Sequence, residues 1–203
     1  MRGLYAITQP EYQSVDELMQ QVDQAITGGA AVIQYRDKSS SWSQREQVAI
    51  EIHALCRERG ALMIINDDVQ LAQMINADGV HLGRDDMLPA DARRILGMGK
   101  LIGVSCYADM GRAQMAQQQG ADYVAFGSFF PSTSKPEAIP APIDVLVRAK
   151  AEIGLAIVAI GGITADNGRA LIDAGADMLA VIHGVFGQQD IVQASRDIAA
   201  LFY

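Results

Sequence analysis

The chain predicts an α/β fold closed into a barrel of parallel strands, and three observations carry that expectation. Short apolar runs rich in β-branched residues alternate with longer amphipathic segments over all 203 residues. Four joints repeat one pattern: a helix end, Gly or Asn, a small residue, then a strand. They are GGAAVIQ (28–34), NADGVHL (76–82), QGADYVAF (119–126) and AGADMLAV (174–181). Counted along the chain, eight strand–helix units of about 25 residues appear, the number that closes a (β/α)8 TIM barrel. A single domain over 1–203 is expected, because α/β barrels run to about 250 residues and no linker or low-complexity stretch divides the sequence. A doubly wound sheet would show five or six strands and a Gly-rich first turn, whereas ITQPEYQ (7–13) follows the first run.

The elements follow in order. GLYAI (3–7) opens as a strand. VDELMQQVDQAI (15–26) puts Val15, Leu18, Met19, Val22 and Ile26 on one helical face. AVIQY (31–35) is the second strand. SQREQVAIEIHALCRERG (43–60) reads as a helix with Ser43 as N-cap, Glu46 three residues on, and Gly60 at its end. ALMII (61–65) and DGVHL (78–82) flank a short helix in VQLAQMI, and LIGVS (101–105) leads into DMGRAQMAQQQG (109–120). DYVAF (122–126), AIVAI (156–160) and DMLAV (177–181) complete the strands, with the helix TADNGRALIDAG (164–175) between the last two. The runs are continuous rather than alternating, as parallel strands buried on both faces read. PSTSKPEAIPAP (131–142) is the longest loop, and its length suggests a lid.

Composition narrows the partners. Asp and Glu number 24 against 16 Lys and Arg, a net charge of −8. Such a surface repels phosphate backbones, so no nucleic acid is expected, and any anionic ligand must be held by a few placed cations and backbone N–H groups. Cys56 and Cys106 lack both metal spacing and a disulfide framework, and read as buried fillers in a reducing compartment. No apolar run reaches the length of about 18 residues a membrane helix needs, and MRGLYAITQP is not a signal peptide. A soluble cytoplasmic protein acting on small molecules is the expectation, with homo-oligomerisation left open.

In a barrel of this kind, polar residues at strand C-termini line the mouth. The second strand ends Gln34-Tyr35-Arg36-Asp37-Lys38, the third Asn66-Asp67-Asp68, and the fourth runs from His81 to Asp86. The fifth ends at Ser105, and the sixth leads through Ser128 to Pro131-Ser132-Thr133-Ser134-Lys135. The seventh ends Gly161-Gly162-Ile163-Thr164 and the eighth Ile182-His183-Gly184. Arg36, Lys38 and Lys135 form a cationic set. Asp67 and Asp86 end neighbouring strands, and two carboxylates converging without a cation would repel. A divalent ion resolves this, and Mg²⁺ bridging a pyrophosphate suits carboxylates beside cations. Asp68 reads instead as the N-cap of the next helix. Gly161 and Gly162 let backbone approach a ligand, so a monophosphate is expected there.

Taken in order, Q-x-R-x-K at 34–38, INDD at 65–68, DGVHLGRDD at 78–86, GVS at 103–105, FGSFFPSTSK at 126–135 and AIGGIT at 159–164 resemble the motifs of the thiamine-phosphate synthase family. The resemblance runs from GLYAIT to the end of the chain. It implies a TIM barrel that joins 4-amino-5-hydroxymethyl-2-methylpyrimidine pyrophosphate to 4-methyl-5-(2-hydroxyethyl)thiazole phosphate, giving thiamine phosphate and pyrophosphate with Mg²⁺. It places Gln34, Arg36, Lys38, Asn66, Ser105 and Lys135 on the pyrimidine pyrophosphate, with Arg36, Lys38, Lys135 and Ser105 as the catalytic groups. It gives the metal to Asp67 and Asp86, and the thiazole phosphate to Ser132, Thr133, Ser134, Gly162, Ile182 and His183. The family usually carries Ser where this chain has His183, and Thr at 132 and 134. Two rivals are weighed: a thiazole tautomerase-like isomerase, and a non-catalytic thiazole- or thiamine-phosphate-binding module. Neither needs the diphosphate and metal set.

Overall fold

Eight parallel strands hydrogen-bond in chain order and close on themselves in the computed structural model, which describes residues 1–9, 12–131 and 140–203. The strands are β1 (Gly3–Ile7), β2 (Ala30–Tyr35), β3 (Leu62–Asn66), β4 (Gly79–Leu82), β5 (Leu101–Tyr107), β6 (Tyr123–Gly127), β7 (Ala156–Ile160) and β8 (Met178–Val181). Closure comes from β1 against β8, with Leu4 opposite Leu179 and Ala6 opposite Val181. Around them lie α1 (Val15–Thr27), α2 (Trp42–Arg59), α3 (Val69–Met74), α4 (Pro89–Leu96), α5 (Met110–Gln118), α6 (Asp144–Glu152), α7 (Ala165–Asp173), the short α8 (His183–Phe186) and α9 (Ile191–Ala200). The expected barrel is the observed one.

The repeated joint has a specific physical cause. In each copy the Gly or Asn takes positive φ: Gly29 at 106°, Asn76 at 57°, Gly120 at 84° and Gly175 at 118°. The small residue after it, Ala30, Ala77, Ala121 or Ala176, is buried. In the last three copies an Asp follows, and it caps rather than begins the strand. Its carboxylate takes the N–H of a residue in the preceding strand or next to its start: Asp78 from Met63 at 2.7 Å, Asp122 from Ile102 at 2.7 Å, and Asp177 from Ile157 at 2.9 Å. Arg93 pairs with Asp122 and Lys150 with Asp177, so these caps are themselves neutralised. The strands therefore begin one residue later than the apolar runs suggested. All of this sits at the end of the barrel opposite the mouth, where it serves stability.

The second helix also starts earlier than its sequence reading. Ser41, not Ser43, is the N-cap: its hydroxyl accepts from the N–H of Gln44, whose side chain reaches back to complete a capping box. Both serines have a suitable residue three positions on. The earlier one is used because Asp37 already gathers the N–H groups of Ser39 and Ser40, which delivers the chain to Ser41 in extended form. The far end behaves as expected, with Gly60 left-handed at φ 75°.

Two apolar layers result. The larger fills the space between strands and helices, with Leu18, Val22, Ile52, Leu71 and Leu146 against outward-facing Leu4, Ile33, Met63 and Val80. The smaller fills the barrel itself, with Tyr5, Ile7, Val32, Ile64, Tyr123, Val158 and Met178. Gly103 belongs to this interior for a steric reason. A Cβ there would lie 1.9 Å from Cζ of Tyr123, so only glycine leaves room for that ring. Among the described residues no helix is long and apolar enough to cross a membrane.

Candidate active site

The end of β2 is organised by a residue that the sequence reading left without a role. Asp37 is buried, and its Oδ1 accepts from the Ser39 N–H at 2.9 Å, the Ser39 hydroxyl at 3.1 Å and the Ser40 N–H at 3.0 Å. Its Oδ2 accepts from Tyr12 at 3.1 Å and Tyr35 at 3.3 Å. Burial opposes its ionisation, but the donors from Ser40 and Ser39 outweigh it and hold the carboxyl well below the usual carboxylate range. The same burial pushes the Tyr35 phenol far above its ordinary value. This knot shapes the loop that carries Lys38. Arg36 begins the loop, its backbone N–H fixed to the Thr8 hydroxyl at 2.9 Å.

The two expected metal ligands do meet. Asp67 and Asp86 lie within side-chain hydrogen-bond reach of each other, from β3 and β4 respectively. Asp67 has left-handed backbone, φ 64°, uncommon for a residue with a side chain. That turn separates it from Asp68, whose Oδ1 caps α3 by accepting from the Leu71 N–H at 2.9 Å. Asp86 is held by the Gly83 N–H at 2.6 Å. The pair is not without a cation, as the sequence reading supposed: Lys38 Nζ stands 2.8 Å from Asp67 Oδ2. Burial works against both charges. At Asp67 the hydrogen bond from Lys38 and the bond shared with Asp86 prevail and lower its pKa. At Asp86 burial and the neighbouring Asp67 raise it. Arg45 from α2, unnoticed in the sequence, pairs with Asp68 at 3.3 Å. Lys38, Arg45, Asn66 and Asp67 line an open cleft of about 420 Å³.

Inside the mouth the described side chains join into one polar chain. Gln34 Nε2 donates to the Tyr5 hydroxyl at 2.8 Å. The hydroxyls of Tyr5 and Tyr123 are 2.8 Å apart. Tyr123 meets His81 Nδ1 at 3.1 Å, and His81 Nε2 meets Ser105 Oγ at 2.8 Å. Gln34 and Ser105, two of the expected pyrimidine contacts, are thus the ends of a chain whose middle the sequence reading assigned no part in binding. Arg112 of α5 was also missed. It clasps the carbonyls of Ser105 at 2.6 Å and Gly83 at 2.8 Å, tying the β5 end to the loop that carries Asp86. The signal available was a hydroxyl on an aliphatic strand: a buried tyrosine needs a partner for its O–H.

The expected monophosphate end is less simple. Gly161 and Gly162 have φ 107° and 62°, so both need glycine, but what approaches them is the chain after β6. A Cβ on Gly161 would meet Ser128 Oγ at 1.9 Å, and one on Gly162 the Pro131 carbonyl at 2.3 Å. The glycines therefore admit the chain that follows β6 at close range. The Gly162 carbonyl accepts from Asn167, which also completes the Thr164 capping box. Ile182 caps the four-residue α8, and exposed His183 begins it, its ring lying over Gly187. Ser132, Thr133, Ser134 and Lys135 lie outside the described residues, as does most of the loop expected to be a lid.

Comparison with known proteins adds the following. A family model described as thiamine monophosphate synthase matches residues 4–185. The chain is 50% identical to the thiamine-phosphate synthase of Thiobacillus denitrificans over 200 residues, covering 98% of this chain and 94% of that one. It is 46% identical to the thiamine-phosphate synthase of Thioalkalivibrio sulfidiphilus over 202 residues, covering 100% and 96%. Its fold is similar to a solved thiamine phosphate pyrophosphorylase from Pyrococcus furiosus, with a TM-score of 0.87, 32% identity, and coverage of 98% and 95%.

Proposed function

The chain belongs to the thiamine monophosphate synthase family, and we propose that the ends of β2 to β5 hold the pyrimidine pyrophosphate while those of β7 and β8 receive the thiazole phosphate. The enzyme is a transferase that forms thiamine phosphate. The observation that carries the assignment of ends is the opposed pair Asp67 and Asp86 with Lys38 on one of them. Mixed charge at one spot is what a diphosphate–metal complex requires. Mg²⁺ keeps several ligands from water and phosphate and needs only one or two carboxylates, so a two-aspartate site fits it. When bound, it neutralises charge on the diphosphate.

The chain's own residues do the rest. Lys38 and Arg36 stabilise charge on the departing pyrophosphate oxygens. Gln34, Asn66 and Ser105 orient the ring. The methylene of the aminopyrimidine shares positive charge with its ring, so the bond to oxygen can break before the thiazole nitrogen attacks. That nitrogen carries no proton, so no general base is required. Catalysis reduces to positioning and leaving-group electrostatics. Gly162, Ile182 and His183 are assigned to the thiazole phosphate.

The test mixes the two half-substrates with Mg²⁺ and measures pyrophosphate. Release that needs both halves and the metal is expected. Thiazole isomerisation without pyrophosphate, or binding without turnover, would overturn the reading in favour of a tautomerase or a binding module.

A further inference from the structure

We propose that Gly83 and Arg112 are positioning residues: Gly83 fixes the Asp86 carboxylate, and Arg112 holds that loop in register with Ser105 across the bond that breaks. The inference rests on the reading above, in which Ser105 touches the pyrimidine and Asp86 the metal on the diphosphate.

Gly83 follows the last paired residue of β4, Leu82, which lies opposite Val104 of β5. Both sides of Gly83 are taken. Its N–H donates to Asp86 Oδ2 at 2.6 Å, and its carbonyl accepts from Arg112 at 2.8 Å. Its φ is not positive, so the backbone angle alone does not call for glycine. What calls for it is the carboxylate. A Cβ there would lie 2.8 Å from Asp86 Oδ2 and 3.8 Å from Asp86 Cγ. Apart from its chain neighbours, no other described residue comes within 4 Å of that position. A methyl group at 83 would therefore press on one thing, the side chain of an expected metal ligand.

Arg112 acts on the same loop from α5. It is the third residue of that helix, where the macrodipole disfavours a cation. Its donors give the reason for its placement. Nε donates to the Ser105 carbonyl at 2.6 Å and Nη2 to the Gly83 carbonyl at 2.8 Å. A guanidinium is a rigid planar fork, so two carbonyls bound to it are held at a set separation. One belongs to the residue whose hydroxyl is assigned to the pyrimidine. The other belongs to the residue that holds Asp86. On the reading above, the methylene–oxygen bond that breaks lies between them. A fork that keeps these two ends in register keeps that bond aligned with the metal. A misplacement of about 1 Å in such a site costs on the order of a hundredfold in rate.

The experiment measures Mg²⁺-dependent binding of inorganic pyrophosphate to the full-length protein by isothermal titration calorimetry, beside Tm and KM for each half-substrate. Gly83→Ala pushes on the tip of a flexible side chain, and the carboxylate must move by about 0.6 Å to reach ordinary contact near 3.4 Å. The variant should keep the wild-type Tm and the wild-type KM for the thiazole phosphate, and should lose roughly tenfold in Mg²⁺-dependent pyrophosphate affinity. Arg112→Met keeps an apolar stem and removes the donors. It should raise the Mg²⁺ needed for half-maximal rate and KM for the pyrimidine pyrophosphate together, each about tenfold. Arg112→Lys keeps the charge but not the fork and should behave like Arg112→Met. Unchanged pyrophosphate affinity in Gly83→Ala overturns the proposal, even where Arg112→Met fails to fold. So does full recovery in Arg112→Lys, which would assign the effect to charge alone, or a rise in both KM values alike. Absence of Mg²⁺-dependent turnover in wild type would sink the functional reading itself, whereas wild-type behaviour of the variants sinks this inference alone.

Discussion

Replacing Gly103 by Ala puts a methyl carbon 1.9 Å from Cζ and 2.3 Å from the hydroxyl oxygen of Tyr123. Ordinary contact begins near 3.4 Å, so the ring must shift by about 1.5 Å, the difference between the two distances. It cannot do so and keep its bonds to Tyr5 at 2.8 Å and His81 at 3.1 Å. Overpacking a closed interior costs about 1–3 kcal/mol. Two buried hydrogen bonds add roughly 1 kcal/mol each. The sum is about 3–5 kcal/mol, a fall in Tm on the order of 10 °C for a chain of this size. Thermal unfolding by circular dichroism measures it. The decisive comparison is a double-mutant cycle with Tyr123→Val, which removes the ring: in that background Gly103→Ala should cost almost nothing. An equal cost in both backgrounds would refute the claim that the ring is what glycine accommodates.

Three further outcomes are expected. Asp67→Asn and Asp86→Asn should each lower kcat/KM by about two orders of magnitude or more, the scale of losing one transition-state electrostatic contact, while Tm changes little; steady-state pyrophosphate release at saturating Mg²⁺ checks this. Asp37 has its folded-state pKa depressed, so its contribution is complete above the unfolded value near pH 4 and is lost as pH falls below it. Urea unfolding of wild type and Asp37→Asn from roughly pH 3 to pH 7 should give a difference that is constant above about pH 4 and shrinks beneath it. Ser195 on α9 is fully buried and its hydroxyl has no partner among the described residues, so Ser195→Ala should stabilise the fold by about 1 kcal/mol in the same assay.

Much of the fold was legible because its signals are local. A parallel barrel strand is buried on both faces and reads as a short continuous run, and Gly or Asn marks each repeated joint. What misled was also local: Asp78, Asp122 and Asp177 adjoin the runs and were counted into them, yet each serves the strand before its own. At the rim of the mouth the meeting of Asp67 and Asp86 was legible from residue type and strand order. The interior of the mouth was not. Tyr5 and Tyr123 are 118 positions apart and meet only because the barrel closes. Lys38 on Asp67 and Arg112 on Gly83 likewise join separate units, and neither spacing nor composition encodes such a pairing.

The pair Asp67-Asp68 shows how one backbone angle divides two identical side chains between structure and chemistry. A helix needs an acceptor at its N-terminus, and either aspartate would serve. The chain leaves β3 through Asp67 at φ 64°, its N–H still bonded to the His81 carbonyl at 2.8 Å. That single left-handed residue brings the next carboxylate, Asp68, round to the Leu71 N–H, where Arg45 also meets it. Asp67 itself is left facing Asp86 and Lys38. Holding a non-glycine residue there costs about 1 kcal/mol or more, and glycine would remove the cost. Glycine would also remove the carboxylate. On the proposed reading a carboxylate at 67 is needed in the mouth, which accounts for the strain and assigns Asp67 to the ligand side of the turn and Asp68 to the helix.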